Sequence, residues 1–555
     1  MLIHQLRRLA TVPEVAAGMA PEGYELRRVR HVIDLAGDGR PLGVTDLAQD
    51  GPGGARGALR QVPAVMRTSD VAPTLLADGP DYLFGLPPGG DRPARDGRAR
   101  RCRDAFLGLV ADCALATGSP EVAAVERFLR SGRVPPGIDP AADVITFTVD
   151  GTAVTDLPEV RGFWRDVRRE SAAEPMECLV CGRRAPVAAS WPVPVKGIPH
   201  GQSAGTQLVS ASRRAFQSYG LESSRTSPTC VECAASAARA LNWLLERPAR
   251  CLRLAHGVLV QWTIGPGRLD VLPLLAEPRP AAVAALERAT VGPAEFFAAE
   301  LAASGSRVAV RTWIEDTAPA VRDHLVRYFR RLAVVRPDGS QPRPAGLREL
   351  LRGAAQDGDE GTEQLAHDLV DVALTGRRVP ARLLAAVVRR SRNERRVTPA
   401  RAALTRMALL DGAPGTHEEV AMIQLDPEEG DPAYLCGRLL AALEAAERAA
   451  RGRLQQSLTD RSYRAVSCSP ATALPALLGS ARSHLTALRR SRWPAYDAIE
   501  SRIVDIAGRL PSRLPARLAL EEQARFGLGY YHQRAADRAA ARPPGSTPAA
   551  EEEEP

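Results

Sequence analysis

The chain is 555 residues long, 45% hydrophobic and 25% charged, which excludes a fibrous or wholly disordered protein and predicts several domains with real cores. Its formal net charge of +8 rests on 72 arginines and a single lysine, Lys196, so a polyanion fits it better than a cationic partner. The longest apolar runs, such as Val258–Trp262, are strand-sized, and the charged start MLIHQLRR does not read as a secretory signal; no membrane span is expected.

From the N-terminus to about residue 60 the pattern predicts a short helix and then a β-hairpin. Val29, Ile33 and Leu35 occupy one arm, Asp38-Gly39 the turn, and Leu42 and Val44 the other arm. A second hairpin is expected where Ile145, Phe147 and Val149 alternate before Asp150-Gly151 and Val154. Between them, residues 51–70 and 87–104 are Gly- and Arg-rich and read as exposed basic loops. In the first of these, Arg60, Arg67, Thr68 and Ser69 suit a loop that enters a DNA groove, where arginine or hydroxyl groups read base edges. The alternative is a solvated basic loop.

Two Cys-x-x-Cys pairs follow, Cys178/Cys181 and Cys230/Cys233. Four thiolates at that spacing can close a tetrahedral zinc site, although the 48 residues between the pairs exceed the usual ribbon interval. The metal would clip the base of a long insertion; disulfides or free thiols are the alternative. A shell of four cysteines leaves no position for an activated water, so zinc here predicts scaffold and not hydrolysis. The other five cysteines are scattered and suggest a reducing cytoplasm, not a secreted disulfide framework.

Within the insertion, Lys196, Gly201, Gln202, Ser203 and Gly205 form the strongest site candidate. Glycines permit close backbone approach to a phosphate, hydroxyl and N–H groups donate to its oxygens, and one ammonium supplies charge. The competing reading is a tight loop covering the metal region.

Further strands are expected at Val258–Ile264 and Val308–Ile314, and Arg327–Val335 as a basic helix running into another strand. From about residue 341 Ala, Leu, Arg and Glu dominate at helical spacing. Asp431-Pro432 opens a helix bearing Leu435, Leu439 and Leu443, Ser469-Pro470 opens the next, and Ile499, Ile503 and Ile506 mark a third. At the entrance to this bundle, Arg389, Arg390, Arg392, Arg395, Arg396, Arg401 and Arg406 form the densest cationic run, either a track for a nucleic-acid strand or a solvated face. Tyr530-Tyr531-His532, at helical spacing from Phe526, reads as core packing. Asp357, Asp359 and Glu360 read as a linker, and no zincin, Walker or nucleophile-elbow motif is present, so no catalytic residues are expected.

The expected fold is an α+β N-terminal region with a zinc-ribbon-like insertion, followed by an all-α C-terminal helical bundle. Residues 1–174 form the α+β region with its basic loops, 175–236 the four-cysteine, zinc-clipped insertion with the Gly-rich loop, and 237–340 the α+β continuation. Residues 341–535 form the bundle, and 536–555 a disordered tail ending in four glutamates.

Three blocks in order resemble one family. GYELRRVRHVIDLAGDGRPLGV and MRTSDVAPTLLADGPDYLFGL at the start, CLVCG, VKGIPHGQSAGTQLVS, AFQSYG and ALNWLL in the centre, and AYLCGRLLAALE and LALEEQARFGLGYYHQR at the end are similar to the large subunit of type I-C CRISPR Cascade. The resemblance implies a non-catalytic subunit of a crRNA-guided complex that reads the protospacer-adjacent motif, aids duplex opening, holds the displaced strand and recruits a helicase-nuclease. It implies as partners the crRNA-bound backbone and crRNA-processing subunits, target double-stranded DNA, and a small subunit made from the C-terminal region by an internal start, for which Met422, and less well Met407, is placed. Two departures stand out. The family segment continues LVSFN where this chain has Leu208-Val209-Ser210-Ala211-Ser212, and the complete four-cysteine set is fuller than many members carry. Readings from other classes are a stand-alone zinc-dependent nucleic-acid enzyme and an assembly factor without DNA contact.

Overall fold

The computed structural model describes residues 1–49, 57–65, 71–86, 93–138, 144–170, 175–187, 190–203, 205–254, 256–356, 361–411, 422–452 and 455–541. Arg67, Thr68, Ser69, the acids at 357–360 and the terminal glutamates lie outside the described residues. The chain divides into two units, Met1–Glu246 with Ala302–Ala309, and Arg247–Leu301 with Val310–Pro555.

The first unit is mixed α/β. Its main sheet runs in the order Pro41–Asp46, His31–Leu35, Ile145–Val149, Ala77–Asp78, with Thr152–Ala153 also paired to Ile145–Val149. Both expected hairpins form, at His31–Leu35/Pro41–Asp46 and at Ile145–Val149/Thr152–Ala153, although Val154 falls in the 3-10 turn Val154–Asp156 and not on the second hairpin's returning arm. His31–Leu35 and Ile145–Val149 lie parallel, which requires a long crossover, and helices Pro93–Thr117 and Pro120–Arg130 fall within it. Arg60 of the first basic stretch lies on strand Ala58–Pro63 and not in a loop, and the stretch read as a basic loop at 87–104 is helical from Pro93 and buries Ala99 and Cys102. These helices bury Phe106, Val110 and Phe128 with Ile33 and Phe147 of the sheet. Each such side chain contributes about 1.5–3 kcal/mol. Val29 is not on the hairpin arm where its alternation placed it. Tyr24–Val29 is a separate strand that pairs with Ala58–Pro63, and the break comes at Arg30, whose N–H donates to Val144 O at 2.8 Å.

The second unit begins with most of an antiparallel sheet in the order Cys251–Arg253, Val258–Ile264, Glu295–Ser304, Arg307–Thr317, of which Ala302–Ala309 counts with the first unit. Trp262 stacks on Phe297 with ring centroids 5.4 Å apart, and Trp313 lies tilted at 5.8 Å from Trp262. Helix Ala318–Leu332 follows, but Val334 and Val335 form no strand; they are buried coil, and Val335 N–H donates to Ile423 O at 2.7 Å. Every regular element that follows among the described residues is a helix, from Leu347–Ala354 to Leu520–Ala540. Asp431 caps helix Pro432–Arg451, its Oδ1 accepting from Tyr434 N–H at 2.8 Å. Leu435, Leu439 and Leu443 of this helix pack with Phe526 and Tyr530 of Leu520–Ala540. The closest approach uses two glycines, since a Cβ at Gly437 would overlap Phe526 O and one at Gly529 would overlap Tyr434 O.

Candidate functional site

The insertion grows from a metal-type base. Pro175–Glu177 and Arg184–Pro186 pair antiparallel, and the turn between them carries Cys178 and Cys181. Gly182, at φ 70°, closes that turn by donating its N–H to Cys178 O at 2.8 Å, while Cys178 N–H donates to Arg183 O at 3.0 Å. Cys230 is the N-cap of helix Val231–Leu245 and Cys233 lies in its first turn. The helix start brings positive dipole to two sulfurs. All four Sγ atoms lie within 4.8 Å of one another, and Cys181 and Cys230 are 4.0 Å apart. A tetrahedron of ~2.3 Å metal–sulfur bonds sets its sulfurs about 3.8 Å apart, so the cluster fits with small adjustment.

Two backbone N–H groups aim at Cys178 Sγ, from Val180 at 3.4 Å and Cys230 at 3.3 Å, an arrangement that suits a metal-bound sulfur. Burial pushes the Cys230 and Cys233 thiols up. Burial acts the same way at Cys181, but hydrogen bonds from the Arg183 backbone and guanidinium outweigh it and bring that thiol down to about 6. The four residues can therefore hold a metal ion, with every tetrahedral position taken by protein.

The Gly-rich loop is tied to the same helix. Val195 and Thr206 close its neck through two backbone hydrogen bonds of 2.7 and 2.8 Å. Asn242, on the helix that carries Cys230 and Cys233, accepts from Lys196 N–H at 3.0 Å and donates to Pro194 O at 3.0 Å. Gly205 sits at φ 100°, and a Cβ there would come within 2.6 Å of Pro194 Cβ. Gly205 is thus needed to shut the neck, whatever the tip binds. At that tip Gln202 and Ser203 are exposed.

Lys196 Nζ donates to Glu25 Oε2 at 2.9 Å, and its side chain is 45% exposed. Glu25 also faces Arg27 at 3.8 Å, and Arg27 lies directly opposite Arg60 in the ladder. Two residues singled out separately, Lys196 and Arg60, so converge on one surface of the first unit, with Arg27 between them and a carboxylate at its centre. Glu25, Arg27 and Asn242 carry no signal in the sequence, because their partners are distant along the chain.

In the second unit the arginine run divides. Arg389, Arg395 and Arg396 are exposed, whereas Arg390 pairs with Glu394 at 2.9 Å and Arg392 donates to Gln523 at 3.4 Å. Arg401 and Arg406 are not on any face. Arg401 is buried against Glu394, Gly353 O and Arg396 O, and Arg406 donates to Arg330 O and Arg331 O at the end of helix Ala318–Leu332. Burying a guanidinium is tolerable only when such acceptors meet it. The sequence also left unflagged a cleft of about 880 Å³ bordered by Arg253, Arg279, Arg343, Arg348 and Arg352.

Tyr530, Tyr531 and His532 are core residues, as their spacing predicts. Tyr530 donates to Glu444 at 2.8 Å, and Tyr434 OH meets His532 Nδ1 at 2.9 Å. Burial, reinforced by Arg406, pushes the His532 pKa down to about 3, so the ring is neutral at cellular pH.

No described helix is long and apolar enough to cross a membrane. A family model for a CRISPR-associated protein, Cas_Csd1, matches residues 2–537. No curated protein matches the chain.

Proposed function

The chain belongs to the Cas_Csd1 family of CRISPR-associated proteins, and from that premise we propose that it is the DNA-recognition subunit of a crRNA-guided type I-C Cascade complex. The carrying observation is the extent of the family match, since both the four-cysteine insertion and the C-terminal bundle fall inside residues 2–537. In this reading the guide RNA supplies sequence specificity by pairing, and the protein reads the protospacer-adjacent motif and duplex shape. Its mechanism is binding energy and not bond chemistry. The four cysteines hold zinc as a scaffold, which fixes helix Val231–Leu245 and, through Asn242, the backbone at Lys196.

Lys196, Arg27 and Arg60 meet phosphates of target DNA, and Gln202 and Ser203 donate from the loop tip. Glu25 keeps Lys196 oriented until a phosphate replaces it. The exposed Arg389, Arg395 and Arg396 track the displaced strand, and other surfaces engage the backbone and crRNA-processing subunits, the small subunit and the helicase-nuclease. Such an assembly works in the cytoplasm.

In the assembled complex Lys196→Ala is expected to weaken target-DNA binding and to lower the slope of log affinity against log salt by about 1, the counterion share of one lost phosphate contact. Filter binding from 50 to 200 mM salt reads this out. An unaltered affinity and slope would remove Lys196 from the interface. Changing Arg389, Arg395 and Arg396 together to glutamine is expected to lower the salt slope for single-stranded DNA by about 2. A slope equal to wild type would return these arginines to a merely solvated face.

A further inference from the structure

Residues 212–216 and 218–220 of the insertion are all exposed. Within this stretch Ser218 and Leu221 form a bridge, with Leu221 N–H donating to Ser218 O at 2.9 Å. The two central residues, Tyr219 at φ 53° and Gly220 at φ 71°, are both left-handed, the arrangement of a type I′ turn. Asparagine is the favoured residue at the first central position of such a turn, and a bulky aromatic side chain there is strained. Tyr219 is nevertheless 97% exposed, so no packing within the fold compensates that strain. Backbone strain retained without local compensation points to function.

The surroundings indicate what the ring meets. Phe216, three residues earlier, is 43% exposed, and the Arg307 guanidinium lies 4.1 Å from its ring centroid. Arg213 and Arg214 are exposed, with no side-chain partner among the described residues. The platform is also held firmly. Gln207 N–H donates to Ser306 O at 2.8 Å, Val308 N–H donates to Gln207 O at 2.9 Å, and Ser224 Oγ donates to Val209 O at 3.2 Å. A presented ring with open faces, cations beside it and a fixed base is what an unpaired nucleobase requires, because every base offers a π-face and its phosphates need charge.

We propose that Tyr219 is a stacking platform for an unpaired base of a nucleic-acid strand, with Arg213 and Arg214 holding the adjoining phosphates. This rests on the nucleic-acid reading above and adds an unpaired base as ligand, with Tyr219, Arg213 and Arg214 as residues beyond those named there. The test uses the full chain with a single-stranded oligonucleotide carrying 2-aminopurine and, in parallel, a duplex of the same length. Tyr219→Asn removes the ring while favouring the left-handed turn, so it should fold with an undiminished Tm. It is expected to bind the single strand roughly 5- to 100-fold more weakly and to lose the quenching of 2-aminopurine, while duplex affinity holds. Tyr219→Phe should retain both single-strand signals. Wild-type single-strand affinity and quenching in Tyr219→Asn would overturn the proposal, and loss of a co-purifying protein in that variant instead would make the turn a protein contact. Failure of the wild-type chain to bind the duplex would count against the broader reading, not this one.

Discussion

Cys233→Ser is expected to take bound zinc from about one ion per chain to near none and to open the insertion. Three thiolates and a hydroxyl are a poor shell, and a structural zinc contributes about 10–16 kcal/mol in isolated finger peptides. Only part of that is at stake here, because the hairpin and helix Val231–Leu245 have other contacts, including the packing of helix Leu2–Ala10 against the latter. The loss should appear as collapsed hydrogen-exchange protection over 178–233 with the C-terminal bundle unaffected. Target-DNA affinity should fall with it, since the Lys196 backbone is tied to Asn242 on the same helix. Cys468→Ser, outside the cluster, is the control and should change neither. A chromophoric chelator gives the stoichiometry; metal-free wild-type protein with disulfides joining the pairs would defeat the zinc assignment.

The second large effect is steric. Gly529→Ala puts a methyl group into the Tyr434 carbonyl, and Gly437→Ala does the same to Phe526. Neither obstacle is a flexible side-chain end that can swing aside, so helices Pro432–Arg451 and Leu520–Ala540 must separate along their shared face. Each substitution is expected to cost about 3 kcal/mol and to lower the melting transition of the second unit by roughly 5–10 °C. Gly508→Ala is the counter-case. Its helix Trp493–Arg509 leaves nothing within 4 Å of the new Cβ, so it should be neutral or stabilise by about 0.5–1 kcal/mol. Differential scanning calorimetry distinguishes them, and a Gly529→Ala transition at or above wild type would refute the close crossing.

What the chain announces about itself follows the range of the interaction. Local signals are legible: Asp431-Pro432 caps its helix, Asp38-Gly39 turns its hairpin, and each Cys-x-x-Cys pair marks itself as half of a metal-type cluster. The mixed α/β start and the mostly helical end are likewise readable from the change in periodicity. Glu295–Ser304 is not, since EFFAAELAAS is rich in alanine, a residue depleted in strands, and only its burial between Val258–Ile264 and Arg307–Thr317 makes it a central strand. Long-range partnerships are silent too. Nothing near Glu25 announces Lys196, and nothing in the arginine run separates the exposed Arg395 from the buried Arg406, because carbonyl acceptors such as Arg330 O are set by tertiary packing.

One junction in the first unit also orders events at the ribosome. Gln207 bridges to Arg307, and at 5–20 residues per second Arg307 is synthesised roughly 5–20 s after Gln207. All four thiols of the insertion precede that moment. The four cysteines can therefore come together while the edge at Gln207 still waits for its mate, and a ribosome stalled before Ser306 would leave the insertion unlatched.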